Sequence, residues 1–323
     1  MSSYRPVFVV ATALFGLLAL PAIAQPYPSK PIRFVIPFAA GGNTDVLARI
    51  IGQKLTETMG QPVITDNRPG IDGVIGMALV SRSAPDGYTL LMVSSSLAIN
   101  TAMGMKLSYD PLRDFAPITQ TASQQLILVV HPSVPVKNVA ELVTFAKSSK
   151  SGLNYGTSSS ATQLATELLS SLAGIKMVHI PYKGAAPMIT DLIGGQIQLS
   201  LSPSLVAIPH IKSGRLRALG LGDSKRSSFM PDLPTLAETG VPGYQATIWT
   251  GVLAPSKTPR PIVDRMNKEI VKIVRSPELT ERMVQFGSDT VGSKPEEFGK
   301  FLAEEIRKWT AIAKKVGLWN AAP

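Results

Sequence analysis

The stretch Arg33-Phe34-Val35-Ile36-Pro37-Phe38-Ala39-Ala40-Gly41-Gly42-Asn43-Thr44-Asp45 decides how the rest of the chain is read. Phe34-Val35-Ile36 is a short apolar run, long enough for a buried strand and too short for a helix. Gly41-Gly42 frees the backbone for conformations that a side chain forbids. Asn43, Thr44 and Asp45 are all helix-capping types, and an amphipathic pattern follows at once through Val46, Leu47, Ile50, Ile51 and Leu55. A strand that passes through a glycine turn into a helix presents unpaired backbone N–H groups, a geometry suited to an anion. Asp45 has two readings: it complements the helix dipole, or it reaches a ligand's amino group.

Outward from this unit, strand and helix patterns alternate. Strands are expected at residues 63–64, 88–93, 125–130, 153–155, 177–180, 196–201, 216–221 and 247–254, with helices at 74–80, 139–146, 161–172 and 187–193. Asp66-Asn67-Arg68-Pro69-Gly70 and Ser202-Pro203-Ser204 read as turns. Three helical patterns, from Pro261, Pro277 and Pro295, end the chain. This alternation predicts an α/β fold with a mostly parallel, covered sheet. In such sheets ligands sit beyond the carboxyl ends of strands, which brings Ser94-Ser95-Ser96 to the same edge as the glycine loop. Residues 153–162 repeat the opening logic: a strand, a turn of Gly156, Thr157, Ser158, Ser159 and Ser160, then a helix. Two such loops, one per half, predict two lobes that close on one ligand.

Hydrophobic residues make up 45% and charged residues 17%, so the chain has ample core and is not a disordered polymer. It has no cysteine, which excludes disulfides, thiolate metal sites and a cysteine nucleophile. Arg5, the apolar run over residues 7–20 and Ala22-Ile23-Ala24 predict a signal peptide at 1–24, cleaved before Gln25, and hence export. The formal charge of +10 comes from scattered residues, with Lys225-Arg226 and Lys314-Lys315 the densest pairs. Without a basic run interleaved with aromatics, nucleic acid is not an expected partner, and an anionic small ligand fits better.

Catalytic fingerprints are absent from the sequence. G-x-S-x-G, H-E-x-x-H, G-x-x-x-x-G-K-[ST] and G-x-G-x-x-G do not occur, and His131, His179 and His210 lack metal-ligand spacing. No cofactor and no metal are expected. A serine among Ser158–Ser160 acting as nucleophile is the alternative reading, an enzyme on the same scaffold.

A family resemblance rests on motifs that span the chain in order. They are Pro31-Ile32-Arg33, the run from Pro37 to Asp45, Met59-Gly60-Gln61-Pro62-Val63, Asp66-Asn67-Arg68-Pro69-Gly70 and Ala84-Pro85-Asp86-Gly87-Tyr88-Thr89-Leu90. Asp114-Phe115-Ala116-Pro117, His179-Ile180-Pro181-Tyr182-Lys183-Gly184, Gly214-Arg215-Leu216-Arg217-Ala218-Leu219 and Gly243-Tyr244 follow. The chain resembles the tripartite tricarboxylate transporter substrate-binding proteins, the Bug receptors of bacterial periplasms. The resemblance implies a two-lobed, type II Venus-flytrap binding protein, monomeric, which captures a small carboxylate for membrane transporter subunits or a sensor protein. Lobe 1 would comprise residues 25–125 plus 246–323 and lobe 2 residues 126–245.

In the family a ligand carboxylate is held by backbone N–H groups and waters of the two loops. The candidate ligand-binding residues are therefore Phe38, Ala40, Gly41, Gly42, Asn43, Thr44 and Asp45, with Ser94 and Ser95 beside them. The second loop contributes Thr157, Ser158, Ser159, Ser160 and Thr162, joined by Lys183 and Ser202. The chain departs from the family at Ala40 and Asn43, where proline is common, at Gln163, often His, and at Ser202-Pro203, often Asp-Asn. Backbone grip tolerates these changes. The missing carboxylate at Ser202 argues against a cationic ligand.

Overall fold

The computed structural model describes residues 27–149, 152–227, 229–285 and 287–320, so the signal-peptide reading lies outside the described residues. The opening unit forms as its sequence dictates. Strand β1 (Ile32–Ile36) is buried on both faces, and helix α1 (Asn43–Met59) follows the glycine turn and stops at Gly60 in the left-handed conformation. Then come β2 (Val63–Asn67), a 3-10 turn at Ile71–Gly73, α2 (Val74–Ser81), β3 (Thr89–Ser94) and α3 (Ser96–Ala102). Strand β4 (Phe115–Val130) leads into α4 (Val139–Ser148), β5 (Leu153–Thr157), α5 (Ser160–Ala173), β6 (Met177–Pro181) and α6 (Ala185–Ile193). The chain continues through β7 (Leu199–Pro203), α7 (Ser204–Lys212), β8 (Arg217–Leu221) and β9 (Thr247–Pro255). It ends with α8 (Arg260–Val274), α9 (Pro277–Gln285), β10 (Ser288–Thr290) and α10 (Pro295–Lys315).

The fold is α/β with two halves that repeat one topology. In the first, β2, β1 and β3 are parallel, β9 is antiparallel to β3, and the first part of β4 lies beside β9. In the second, β6, β5 and β7 are parallel, the last part of β4 is antiparallel to β7, and β8 lies on its other side. Strand β4 is thus common to both. Residues Phe115 to Gln125 pair with β9, whereas Leu126 to Val130 pair with β7 and β8. Helices cover both faces of each half, as a parallel sheet requires. On the first half, Ile32, Phe34 and Ile36 pack with α1 and α8, while Val35 packs with Met77, Leu91 and Phe298. Helix α10 reaches across the halves: Phe298 and Leu302 join the first half's core, Trp309 and Ala313 the cluster around α5.

Several boundaries differ from the sequence expectation for identifiable reasons. Strand β4 begins ten residues earlier than the apolar run suggested, because its first part carries polar residues that are satisfied inside the sheet region. Thr119 donates to Ser293 O at 2.8 Å, and the Thr121 and Thr250 hydroxyls lie 2.8 Å apart. The strand tolerates Pro117 at a shift of register between Pro117 and Thr119. Asp66-Asn67 and Ser202-Pro203, expected in turns, end β2 and β7. Helices α3 and α7 and strand β10 were not expected; α3 and α7 follow directly on strands and lack a start signal other than serine.

Candidate functional site

The carboxyl ends of β1, β2 and β3 and those of β5, β6 and β7 face one another where the halves meet. Hydrogen bonds between the 3-10 turn after β2 and the start of α5 establish this contact. Both predicted loops lie on it, but they are built differently.

At the first loop, Gly41 takes the left-handed conformation (φ 83°) and Gly42 an ordinary extended one (φ −75°, ψ 166°) as the residue before α1. The residue in the N-cap position, Gly42, has no side chain with which to cap this helix. Among the described residues, no side chain accepts from the N–H groups of Gly42 or Thr44 at its start. Ala40, Gly41 and Gly42 are exposed, and Thr44 is half-buried. Asp45 is only 2% exposed. One carboxylate oxygen accepts from Gly41 N and Arg49 Nε, both at 2.9 Å, and the other from Asn67 Nδ2 at 2.9 Å. Burial alone would raise its pKa, but these bonds favour the ionised form and hold it below the usual carboxylate range. Asn67 also donates to Phe38 O at 3.0 Å, and Arg49 reaches Thr65 and Asn67. Asp45 thus fixes the curl of the loop and ties it to β2.

The second loop is capped by its own residues. Thr162 Oγ1 accepts the N–H groups of Ser158 (3.1 Å) and Ser159 (3.2 Å), and Thr162 N donates to Ser159 Oγ at 3.4 Å. Thr157 and Thr162 are buried, and the Thr157 hydroxyl lies 2.6 Å from His179 Nε2. The His179 ring stacks on Tyr155, and burial lowers its pKa against the opposing pull of Glu167. His179 therefore serves a threonine at the loop base and none of the serines.

A further N–H at this helix start, that of Ser160, donates to a carboxylate from the other half: Asp72 Oδ2 lies 3.1 Å away. The Ser160 hydroxyl also reaches Asp72 Oδ2 and lies 2.9 Å from Asn100 Oδ1. Asn100 Nδ2 donates to Asp72 O at 3.1 Å, and the Ser96 hydroxyl to Asp72 Oδ1 at 3.3 Å. Ser96 belongs to the serine run expected at this edge, whereas Asp72 and Asn100 were not singled out from sequence. The available signal was Asp72 itself, in Gly70-Ile71-Asp72-Gly73, where it takes φ 51°.

The other candidates sit apart or behind. Ser94 accepts from Ser96 N at 3.3 Å, and buried Ser95 donates its N–H to Trp249 O at 2.9 Å. Lys183 is exposed between β6 and α6, and Ser202 is fully buried with no hydroxyl partner among the described residues. Phe38 is half-buried beside the 3-10 turn, since a Cβ on Gly73 would lie 3.2 Å from its ring. A surface hollow lined by Pro132, Leu216, Arg217 and Leu233 lies at the opposite end of the second half's strands, where Val130 pairs with Leu199 and Arg217.

Residues 47–318 match the family model described as the tripartite tricarboxylate transporter family receptor. The chain belongs to this receptor family. The protein BugT of Bordetella pertussis is 34% identical over 304 residues, covering 93% of each chain. The solved structure of R. palustris Rpa4515 with adipate superposes with a TM-score of 0.86 at 34% identity, covering 90% of this chain and 98% of that one. MatC (Rpa3494) from Rhodopseudomonas palustris with bound malate gives a TM-score of 0.82 at 28% identity, covering 88% and 99%. This receptor thus shares the two-lobed α/β architecture of solute-binding relatives. Among its described residues, no helix is long and apolar enough to cross a membrane.

Proposed function

We propose that this receptor is an exported, non-catalytic protein that captures a small carboxylate between its two halves and presents it to membrane transporter subunits or a sensor. The observation that carries the reading is the start of α1: a glycine loop at the carboxyl end of a parallel strand, with a glycine in the N-cap position and no capping side chain among the described residues. Backbone N–H groups and the positive end of the helix dipole favour a carboxylate there. Relatives with adipate and malate support the ligand class. The candidate binding residues are Ala40 to Thr44 first, with Phe38 flanking, Asp45 holding the loop, and Ser94 and Ser95 at the adjoining strand end. Thr157 to Ser160 and Thr162, with Lys183, belong to the opposing face, and Ser202 lies behind it.

The lobes would divide after Gln125 and at about Ala246. One feature supports the first crossing: β4 exchanges partners between Gln125 and Leu126. At the second, Ala246 N still bonds Gly222 O of the second half, and the chain enters the first half with β9 at Thr247. Closure about these two crossings would be shifted by a ligand that touches both halves. Titration calorimetry against a panel of mono- and dicarboxylates, aromatic acids and amino acids tests the ligand class. Saturable one-to-one binding of a carboxylate is expected, and binding only of cationic compounds would refute it.

A further inference from the structure

The two halves are tied to each other at the cleft by groups of the protein itself. Asp72, in the turn after β2, accepts through Oδ2 from the Ser160 N–H at 3.1 Å and from the Ser160 hydroxyl, at the start of α5. These bonds join residues 88 positions apart, on the edge where the carboxyl ends of the strands face one another. A second polar link has a different place. Ser204 donates to Gly287 O at 2.9 Å, and Gly287 O also accepts from Gln125 N, so this link sits at the β4 crossing itself. Rotation about the crossing leaves the Ser204 bond nearly unmoved and separates Asp72 from Ser160.

The turn that carries Asp72 is strained, and hydrogen bonds hold it in place. Ile71 and Asp72 have φ of 46° and 51°, and for a β-branched residue such as Ile71 this is an outlier. The Ile71 side chain is 65% exposed, so its burial does not fix the conformation. The bonds that do are Gly73 N to Gly70 O at 3.0 Å, Asn100 Nδ2 to Asp72 O at 3.1 Å, Ser96 Oγ to Asp72 Oδ1 at 3.3 Å, and the two from Ser160. Such a conformation persists only while its surroundings over-determine it. Asp72 is half-buried, so water can solvate its carboxylate once the Ser160 bonds part. The halves also share apolar packing, since Ile99 and Ala102 of α3 and Trp309 and Ala313 of α10 lie in the cluster around α5. Apolar contact is non-directional and tolerates a small rotation, whereas hydrogen bonds weaken steeply when their angle is lost. Opening therefore breaks the Asp72 bonds first.

We propose that Asp72 is a latch: its bonds to Ser160 hold the two halves closed before a ligand arrives, so that the ligand strengthens a closure already present. Removing the carboxylate lowers the closed-to-open ratio. A ligand that bridges the halves binds the closed form, so its apparent affinity falls in proportion to the closed fraction. Strain in the turn, released on opening, opposes the latch and keeps the two forms close enough in free energy for the ligand to leave. This inference rests on the two-lobed receptor reading above and goes beyond it, since that reading holds whether or not the halves meet without a ligand.

The chain has no cysteine, so two can be introduced to carry spin labels: Gln53→Cys on α1 and Thr190→Cys on α6, both exposed and one on each half. Pulsed electron–electron resonance measures the label separation in the full receptor, refolded from denaturant to remove any bound acid. Four forms are compared: Asp72 and Ser160 intact, Asp72→Gly, which suits the positive φ, Ser160→Ala, and the double variant. The intact form should show chiefly the separation found in this structure. Asp72→Gly should lower the closed-to-open ratio by about tenfold or more, as expected for losing hydrogen bonds to a charged acceptor. Ser160→Ala keeps its N–H and should open the receptor less, and the double variant should open no further than Asp72→Gly. An intact receptor that is mainly open overturns the inference, as does an unchanged separation in Asp72→Gly or a double variant that adds the two single effects. Cooperative thermal unfolding shows that each form is folded; a merely structural Asp72 would move Tm and leave the separation unchanged. The carboxylate titrations test the receptor reading separately. Carboxylate binding with separations that ignore Asp72 sinks the latch alone, and separations that respond to Asp72 without carboxylate binding sink the ligand class alone.

Discussion

Substituting Gly42 by Leu separates binding from folding at the start of α1. The residue has an ordinary φ of −75°, and a Cβ there meets only Ala39 O, at 3.6 Å, which is normal van der Waals contact. Stability should fall by no more than about 1 kcal/mol, roughly 2–4 °C in Tm, because Leu is a poorer N-cap than Gly. The isobutyl group, however, fills the open space ahead of the helix start. A hydrogen bond to a charged group contributes about 1.5–3 kcal/mol, so excluding a carboxylate from two N–H groups costs about 3–6 kcal/mol, or at least ~100-fold in Kd. Gly41→Ala has the opposite signature. A Cβ there meets nothing within 4 Å, but φ is 83°, so about 1–2 kcal/mol of strain should lower Tm by about 2–6 °C. Calorimetric titration with the tightest-binding acid and thermal unfolding by circular dichroism read the two effects. A folded Gly42→Leu protein that binds as tightly as wild type would refute the assignment of the carboxylate to this loop.

Two further outcomes follow from the loops' internal bonds. Asp45 is buried, which alone would raise its pKa, yet bonds from Arg49, Gly41 and Asn67 lower it. A lowered folded-state pKa gives stability that is fully present above the unfolded value near ~4 and is lost as pH falls through the folded value. The Tm gap between wild type and Asp45→Asn should therefore be widest near neutral pH and narrow on acidification; a gap independent of pH would contradict this. Thr162→Val removes the oxygen that accepts the Ser158 and Ser159 N–H groups and should cost about 1–2 kcal/mol, a fall of roughly 2–6 °C in Tm. An unchanged Tm would mean that the loop's cap is supplied by other groups.

The α/β architecture was legible because its signals are local. Phe34-Val35-Ile36 followed by Gly41-Gly42 and an apolar helical stripe can form little else, and the same pattern recurs at Leu153 to Thr162. Strand β4 was half visible: Leu126 to Val130 is apolar, whereas Thr119 to Gln125 reads as polar until Ser293 and Thr250 are seen beside it. These partners are more than a hundred residues away in sequence. The Asp72–Ser160 contact was hidden for the same reason, joining a turn after β2 to a helix start 88 residues later. The serine-rich turn showed that α5 begins there, but it could not show that the N–H groups of Ser158, Ser159 and Ser160 already have side-chain acceptors. Main-chain donors are legible as loops, and what occupies them depends on the fold.

The central claim is that a carboxylate sits at the start of α1, and a crystal structure with the tightest-binding acid from the titration panel tests it most directly. The account predicts one carboxylate within hydrogen-bond distance of N–H groups among Gly42, Asn43 and Thr44. A carboxylate bound elsewhere, with the start of α1 open to solvent, would contradict it.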